Sequence, residues 1–262
     1  MNEEQIKRYA RQIIMPEIGV KGQRKLLESK VLVVGAGGLG SPAIQYLAGA
    51  GVGHIGIVDG DAVDISNLQR QTIHAGNLGK NKAESAKEFV ERLNPDVEVT
   101  VYPFHLDPEN AREIVREYDV VLDCTDNFVA RFLINDACVI EGIPFVHAAV
   151  LRFEGEIMTI VPGETACYRC VFRHAPPPGS VPTCQEAGVI GATVGVLGTL
   201  QSIEAIKLLT GIGEPLKNRM LVVDLLTMDF TELKLKKDPE CPVCSGKVRD
   251  IIPEKYAESC QL

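Results

Sequence analysis

Lys30-Val31-Leu32-Val33-Val34-Gly35-Ala36-Gly37-Gly38-Leu39-Gly40 is the stretch whose reading decides the fold. Its first half is an unbroken apolar run rich in β-branched residues, with no polar alternation, which marks a strand buried on both faces. The glycines turn that strand into a helix from Leu39 to about Ala50. Strand, glycine loop and helix form the first βα unit of a phosphate-binding α/β fold. Backbone N–H groups at a helix N-terminus lack intrahelical partners, and the macrodipole favours negative charge there. Gly35, Gly37, Gly38 and Gly40 are therefore candidate nucleotide-binding positions. Glycine spacing alone says little, and its position directly after a buried strand gives it weight.

Reading outward, a second short strand, His54 to Val58, delivers Asp59 and Asp61 at its carboxyl end, where open parallel sheets bind ligands. An acidic group at this distance from the loop suits ribose hydroxyls. Neither feature separates NAD from ATP. The continuation Asp64-Ile65-Ser66-Asn67-Leu68-Gln69-Arg70-Gln71 is more polar than a dehydrogenase needs. Asn67, Arg70 and Gln71 suit a triphosphate, Arg70 as a bidentate fork, and Gly79-Lys80-Asn81-Lys82 adds a point charge for the β/γ-phosphates. Composition does not choose between Lys80 and Lys82. A further strand, Asp119 to Asp123, runs into Cys124-Thr125-Asp126-Asn127. Asp126 sits at its mouth, suited to Mg²⁺ bridged to substrate phosphates, while Asp123 reads as a structural acceptor. The bland alternative makes these groups turn residues and solvated charges. Their convergence on strand ends argues for nucleotidyl transfer.

The alternation continues through a helix from Lys80 to Leu93, a strand from Val97 to Tyr102, a helix from Pro108 to Glu117 and a strand from Phe145 to Val150. At least five strands thus form one mostly parallel sheet. Beyond Leu151 the pattern becomes antiparallel, with Glu154 to Val161 and Met220 to Leu235, the latter broken near Leu226-Thr227. Between them lie a proline-rich stretch expected to form a mobile loop, roughly Arg173 to Gln185, and a small-residue helix ending near Gly211. Glu3 to Ile13 reads as an amphipathic helix outside the sheet. The expected layout is an amino-terminal helical arm (1–29), a Rossmann-like nucleotide-binding region (30–150), an antiparallel zinc-bearing region (151–250) and a tail (251–262).

Among 262 residues, 27 basic against 35 acidic side chains leave a net charge of −8, and no basic run marks a nucleic-acid footprint. The first residues lack an apolar signal region, and the longest weakly polar run, Gly188 to Leu200, is too short for a bilayer, so a cytoplasmic protein without membrane contact is expected. Of the eight cysteines, four form Cys167-x-x-Cys170 and Cys241-x-x-Cys244. Four thiolates suit a closed, tetrahedral, structural zinc site; the alternative is redox-active or unrelated pairs. Cys184 precedes a helix, where a thiol can become nucleophilic, and can equally be a plain loop residue. Cys124 and Cys138 read as core, and Cys260 lies in the tail.

These motifs together resemble the ubiquitin-activating-enzyme-like adenylyltransferases of bacteria and archaea, the MoeB, ThiF and HesA family. The resemblance runs from Arg8-Tyr9-Ala10-Arg11-Gln12 through the glycine loop, Ser66 to Gln71, Asp123 to Asn127 and both cysteine pairs to Leu235. It implies Mg·ATP attacked by the C-terminal Gly-Gly carboxylate of a ubiquitin-like sulfur carrier, giving an acyl-adenylate and pyrophosphate in molybdenum cofactor or thiamine biosynthesis. It assigns Asp59 to the ribose, Asn67, Arg70 and Lys82 to the phosphates, and Asp126 to magnesium. Arg11 becomes an arginine finger acting across a homodimer. Cys184 matches a position where ThiF-like members carry a cysteine able to link covalently to the carrier and MoeB-like members carry one they do not need, which leaves the second step open. Sulfur would come from a separate donor, such as a cysteine desulfurase or rhodanese. The competing readings are an NAD-dependent oxidoreductase, which the glycine loop and Asp59 would also serve, and a non-catalytic zinc-stabilised module that binds ubiquitin-like proteins.

Overall fold

The computed structural model describes residues 1–176, 187–254 and 256. Cys184, Cys260 and most of the expected loop before Gln185 lie outside them. The chain opens with α1 (Glu3–Arg8), α2 (Ala10–Ile13) and α3 (Gly19–Glu28), followed by β1 (Lys30–Val34), α4 (Gly40–Ala50) and β2 (His54–Val58). Then come α5 (Lys82–Leu93), β3 (Glu98–Tyr102), α6 (Ala111–Val115), β4 (Val120–Asp123), α7 (Phe128–Glu141) and β5 (Phe145–Leu151). The remainder is β6 (Glu154–Ile160), α8 (Tyr168–Val171), α9 (Gly191–Thr210), β7 (Arg219–Asp224) and β8 (Asp229–Lys234).

Among the described residues eight strands form one sheet in the order β3-β2-β1-β4-β5-β6-β7-β8. The first five are parallel and the last three join antiparallel. Val34 is in register with both Val58 and Asp123, so the carboxyl ends of β1, β2 and β4 finish side by side. The sheet crosses the expected 150/151 boundary without a break, because β5 pairs with β6 from Phe145–Ile160 to Leu151–Glu154. One face of the sheet, through Val31, Val33, Ile55 and Ile57, packs on α4, α5 and α9; the other, through Leu32, Val34, Val58 and Val121, packs on α6, α7 and the cysteine-bearing segments.

Three departures from the sequence reading have local causes. The amino-terminal helix breaks at Tyr9, whose buried side chain packs on Gly51 while its hydroxyl accepts from Asn94 Nδ2 at 2.8 Å. Helix α3 went unread because its glycines and scattered charges hide its buried residues, Gly22, Gln23 and Leu26. The helix expected from Pro108 shrinks to α6, since the Asp107 carboxylate takes the N–H groups of Glu109 and Asn110 into a turn instead. The break expected near Leu226-Thr227 is the turn of a hairpin, β7–β8, with Met228 in the left-handed region.

Among the described residues, α9 alone is long and apolar enough to cross a bilayer, and here it packs on β4, β5 and α4 with Gln201, Ser202 and Glu204 buried. Those polar groups are all paired. Gln201 Nε2 donates to the carbonyls of Asp123 (2.8 Å) and Val146 (3.1 Å), and Glu204 accepts from the Thr159 hydroxyl and the Leu216 N–H.

Candidate nucleotide cleft and metal centre

A cleft of about 720 Å³ opens at the carboxyl ends of β1, β2 and β4. Gly35, Gly37 and Gly38 line it together with Asp59, Asp61, Arg70, Gln71, Lys82 and Asp126. Gly35 adopts φ +95, where a side chain would be strained, and a Cβ there would meet the Cys124 carbonyl oxygen at 2.7 Å. Gly40 is not part of the lining. A Cβ on it would lie 2.0 Å from the Gly35 carbonyl oxygen, so its role is to let the loop fold back against the start of α4. That helix begins with no side-chain cap at Leu39; the Ser41 N–H donates to the Gly37 carbonyl and Pro42 has none, which leaves the Leu39 and Gly40 N–H groups for a ligand. Buried polar atoms without partners fit the same conclusion: Gln71 Oε1 and Arg131 Nε both belong to cleft-lining residues.

The carboxylates are held by the backbone. Asp59 accepts from the Ala36 N–H (2.8 Å) through one oxygen and from the Asp61 N–H (2.9 Å) through the other, which locks the glycine loop to the end of β2. Asp61 pairs with Lys82 at 2.8 Å, and this hydrogen bond, with the Lys82 charge, holds its carboxyl below the usual range. Lys82 itself is nearly buried at the first turn of α5, where Asn81 caps the helix and also donates to the Asp59 carbonyl. Lys80 instead pairs with Glu88, away from the lining. Arg70 donates to the Ser66 carbonyl at 3.1 Å and reaches the cleft; the Asn67 side chain accepts from the Asp64 N–H and is not among the lining groups. Asp126 is exposed at the mouth.

Arg11 is exposed on α2 and does not line the cleft. Its neighbour Gln12 donates to the Ala50 carbonyl (3.0 Å), at the far end of α4 from the glycine loop.

Three groups escaped the sequence reading. His74 is fully buried, with Nε2 2.7 Å from the Ala36 carbonyl and Nδ1 2.9 Å from the Ser85 hydroxyl, and burial lowers its pKa. A neutral ring donating from Nε2 to the carbonyl braces the loop from beneath. His147 and Arg131 are both buried, the first with Nδ1 2.7 Å from Asp123 Oδ2 and the second in the cleft lining. No periodicity signals such residues, because their partners lie on other elements. Asp123, read as a structural acceptor, takes both the N–H (3.1 Å) and the hydroxyl (2.6 Å) of Thr125, fixing the loop that carries Asp126.

On the opposite flank, the sulfurs of Cys167, Cys170, Cys241 and Cys244 all lie within 4.8 Å of one another, with three pairs at 3.7 to 3.8 Å. Four sulfurs bound to one tetrahedral zinc at its usual bond length would stand ~3.8 Å apart. The donor set therefore fits zinc with no position left for water. As free thiols two of them are hard to ionise: the Cys244 hydrogen bond and burial raise Cys167, and burial pushes Cys170 up to about 11. A bound cation would reverse that cost by charge.

A mostly parallel sheet with a glycine-rich turn and a polar cleft at its carboxyl edge, extended by antiparallel strands beside four clustered thiols that fit a metal, defines the class of α/β nucleotide-binding folds. Residues 9–243 match the ThiF family, and the chain belongs to that family. It is 49% identical over 264 residues to the SAMP-activating enzyme E1 of Haloferax volcanii, covering 100% of this chain and 97% of that one. It is 46% identical over 266 residues to the sulfur carrier protein adenylyltransferase of Thermus thermophilus, covering 99% and 98%. Against the probable adenylyltransferase/sulfurtransferase MoeZ of Mycobacterium tuberculosis the identity is 45% and the chain spans 66% of that longer protein. The crystal structure of E. coli MccB superposes with a TM-score of 0.82 at 25% identity, over 93% of this chain and 74% of MccB.

Proposed function

We propose that this protein adenylates the C-terminal Gly-Gly carboxylate of a ubiquitin-like sulfur carrier, using ATP and releasing pyrophosphate. The observation that carries the reading is the convergence of the glycine loop, Asp59, Arg70, Lys82 and Asp126 on one cleft, in a chain 46% identical to a sulfur carrier protein adenylyltransferase.

A carboxylate oxygen of the carrier attacks the α-phosphorus; the bond from that phosphorus to the bridging oxygen breaks, and pyrophosphate leaves. Negative charge builds on the α-phosphate oxygens and on the departing group. The uncapped start of α4 receives phosphate oxygens, and Asp59 orients the ribose. Arg70 and Lys82 neutralise the leaving pyrophosphate, with Asn67 as a further donor once its contact to Asp64 yields. Lys82 is stored against Asp61, so a triphosphate entering the cleft exchanges one anionic partner for another and the lysine never stands desolvated and alone. Asp126 would hold Mg²⁺, which supplies charge neutralisation across the phosphates when bound.

The finer assignments belong to the same reading. The enzyme works as a homodimer in which Arg11 reaches the neighbouring subunit's nucleotide. Residues 30–150 bind ATP, and 151–250, stapled by structural zinc, bind the carrier; the thiols require a reducing compartment such as the cytosol. Sulfur is delivered by a separate donor protein, in molybdenum cofactor or thiamine biosynthesis, and Cys184 is the candidate for a covalent carrier link.

The test is ATP–pyrophosphate exchange with purified carriers. Exchange is expected only with a carrier ending in Gly-Gly, and a carrier truncated by its last glycine should give none. Exchange that ignores the carrier, or its absence with every MoaD- or ThiS-type carrier tried, would reject the proposal.

A further inference from the structure

Four charged groups from four elements meet beneath the cleft: Asp123 at the end of β4, His147 on β5, Glu156 on β6 and Arg131 on α7. His147 is wholly buried, with Nδ1 2.7 Å from Asp123 Oδ2, Nε2 3.6 Å from Glu156 Oε1, and the Tyr168 ring of α8 against it edge-on at 4.7 Å. Burial works against the imidazolium, but the Asp123 hydrogen bond and the pairing with Glu156 outweigh it and raise its pKa. Burial likewise works against both carboxylates, and His147 together with the Arg131 charge holds each below its ordinary value. The quartet is then two anions and two cations, with no net charge.

Arg131 faces two ways. It is near enough to both carboxylates to lower them, yet it lines the cleft, is only 8% exposed, and keeps its Nε–H without a hydrogen-bond partner. A buried guanidinium N–H with no acceptor is costly and awaits one. Were His147 uncharged, the buried Asp123 and half-buried Glu156 carboxylates would share a single cation, and Coulomb attraction would draw Arg131 down onto them and out of the cleft.

We infer that His147 is a positioning residue: by neutralising Asp123 and Glu156 it leaves the Arg131 guanidinium free to receive the incoming peptide carboxylate. The inference rests on the adenylation reading above and names how that site holds its acyl substrate. It also separates the charge of His147 from its bulk, because the charge alone can be compensated elsewhere in the quartet.

The experiment is carrier-dependent ATP–pyrophosphate exchange with a MoaD-type carrier ending in Gly-Gly, reading KM for the carrier apart from kcat, beside calorimetric ATP binding. His147→Gln is expected to raise the carrier KM about tenfold or more, as loss of one partner in a buried charge cluster does, with ATP affinity unchanged. The double variant His147→Gln/Glu156→Gln removes one of the two carboxylates that would then hold Arg131, and should lower the carrier KM at least about threefold from that of the single variant, a partial rescue that a space-filling role would not give. An unaltered KM in the single variant, or a double variant as impaired as the single, overturns the inference. Should His147→Gln not fold, the double variant is read against wild type: a carrier KM raised by less than about tenfold with unchanged ATP affinity supports the inference, and a KM raised further or failure to fold overturns it. Wild-type enzyme that exchanges with no carrier refutes the adenylation reading instead, and this inference falls with it.

Discussion

Mixing two inactive variants tests whether Arg11 serves a neighbouring active site. Within one subunit the geometry forbids a contact. Arg11 lies beside Gln12, which is bonded to the Ala50 carbonyl, and Tyr9, which packs on Gly51, whereas the phosphates would lie at the other end of α4. That helix has 11 residues and so spans about 16 Å, farther than an arginine side chain extends. Arg11→Ala and Lys82→Ala should each lose about 10³-fold in exchange when assayed alone, the lower end for arginine contacts to a transferring phosphate. In a two-fold dimer mixed at equal concentrations, half the dimers are mixed, and each mixed dimer has one site with Lys82 from one subunit and Arg11 from the other. Roughly a quarter of wild-type activity should return. The assay is carrier-dependent pyrophosphate exchange on co-expressed, differently tagged subunits, compared with each parent. Activity of the mixture equal to the mean of the parents would refute the action in trans, and full activity of Arg11→Ala by itself would remove the residue from the mechanism.

Three other outcomes are expected. Chelation or Cys167→Ser should lower the thermal unfolding midpoint before ATP binding weakens, since a closed four-sulfur site is structural; calorimetry beside a nucleotide titration reads both, and lost catalysis at full stability counts against it. Gly40→Ala puts a methyl 2.0 Å from the Gly35 carbonyl oxygen and should weaken ATP binding about tenfold or more in folded protein, measured by calorimetry; wild-type affinity would mean the loop is not the cradle. The buried quartet predicts a pH window. Asp123 and Glu156 are depressed, so their contribution is present above the unfolded carboxylate pKa and fades as pH falls through the folded values, while raised His147 contributes fully below its unfolded pKa and less as pH rises through its folded value. The stability gap between wild type and His147→Gln should therefore be widest between about pH 4.5 and 6.5 and narrow on the alkaline side; urea titrations read it, and a gap that widens toward pH 9 contradicts the assignment.

Much of the architecture was legible because its signals are local. An apolar run into Gly35–Gly40 writes a buried strand, a turn and a helix start within a few residues, and two Cys-x-x-Cys pairs write two metal knuckles. The helix break at Tyr9 was not legible, since it depends on Gly51 and Asn94, far along the chain. Nor were His74, Arg131 or the storage of Lys82 against Asp61. Each depends on a partner from another element, and a single buried histidine or arginine leaves no periodic trace.

The order of residues alone determined the βα alternation, the glycine cradle, the carboxylates at strand ends and the four thiols, because backbone sterics and hydrophobic period act over neighbouring positions. Tertiary structure alone decided that the two cysteine pairs meet at 3.7 Å, that Gly40 packs on the loop outside the cleft lining, that Arg11 sits a helix length from its own cleft, and that Asp123, His147, Glu156 and Arg131 are brought together from four elements. Those are facts about distance between elements, and Coulomb energy, desolvation and steric contact are functions of distance in space, whatever the separation along the chain.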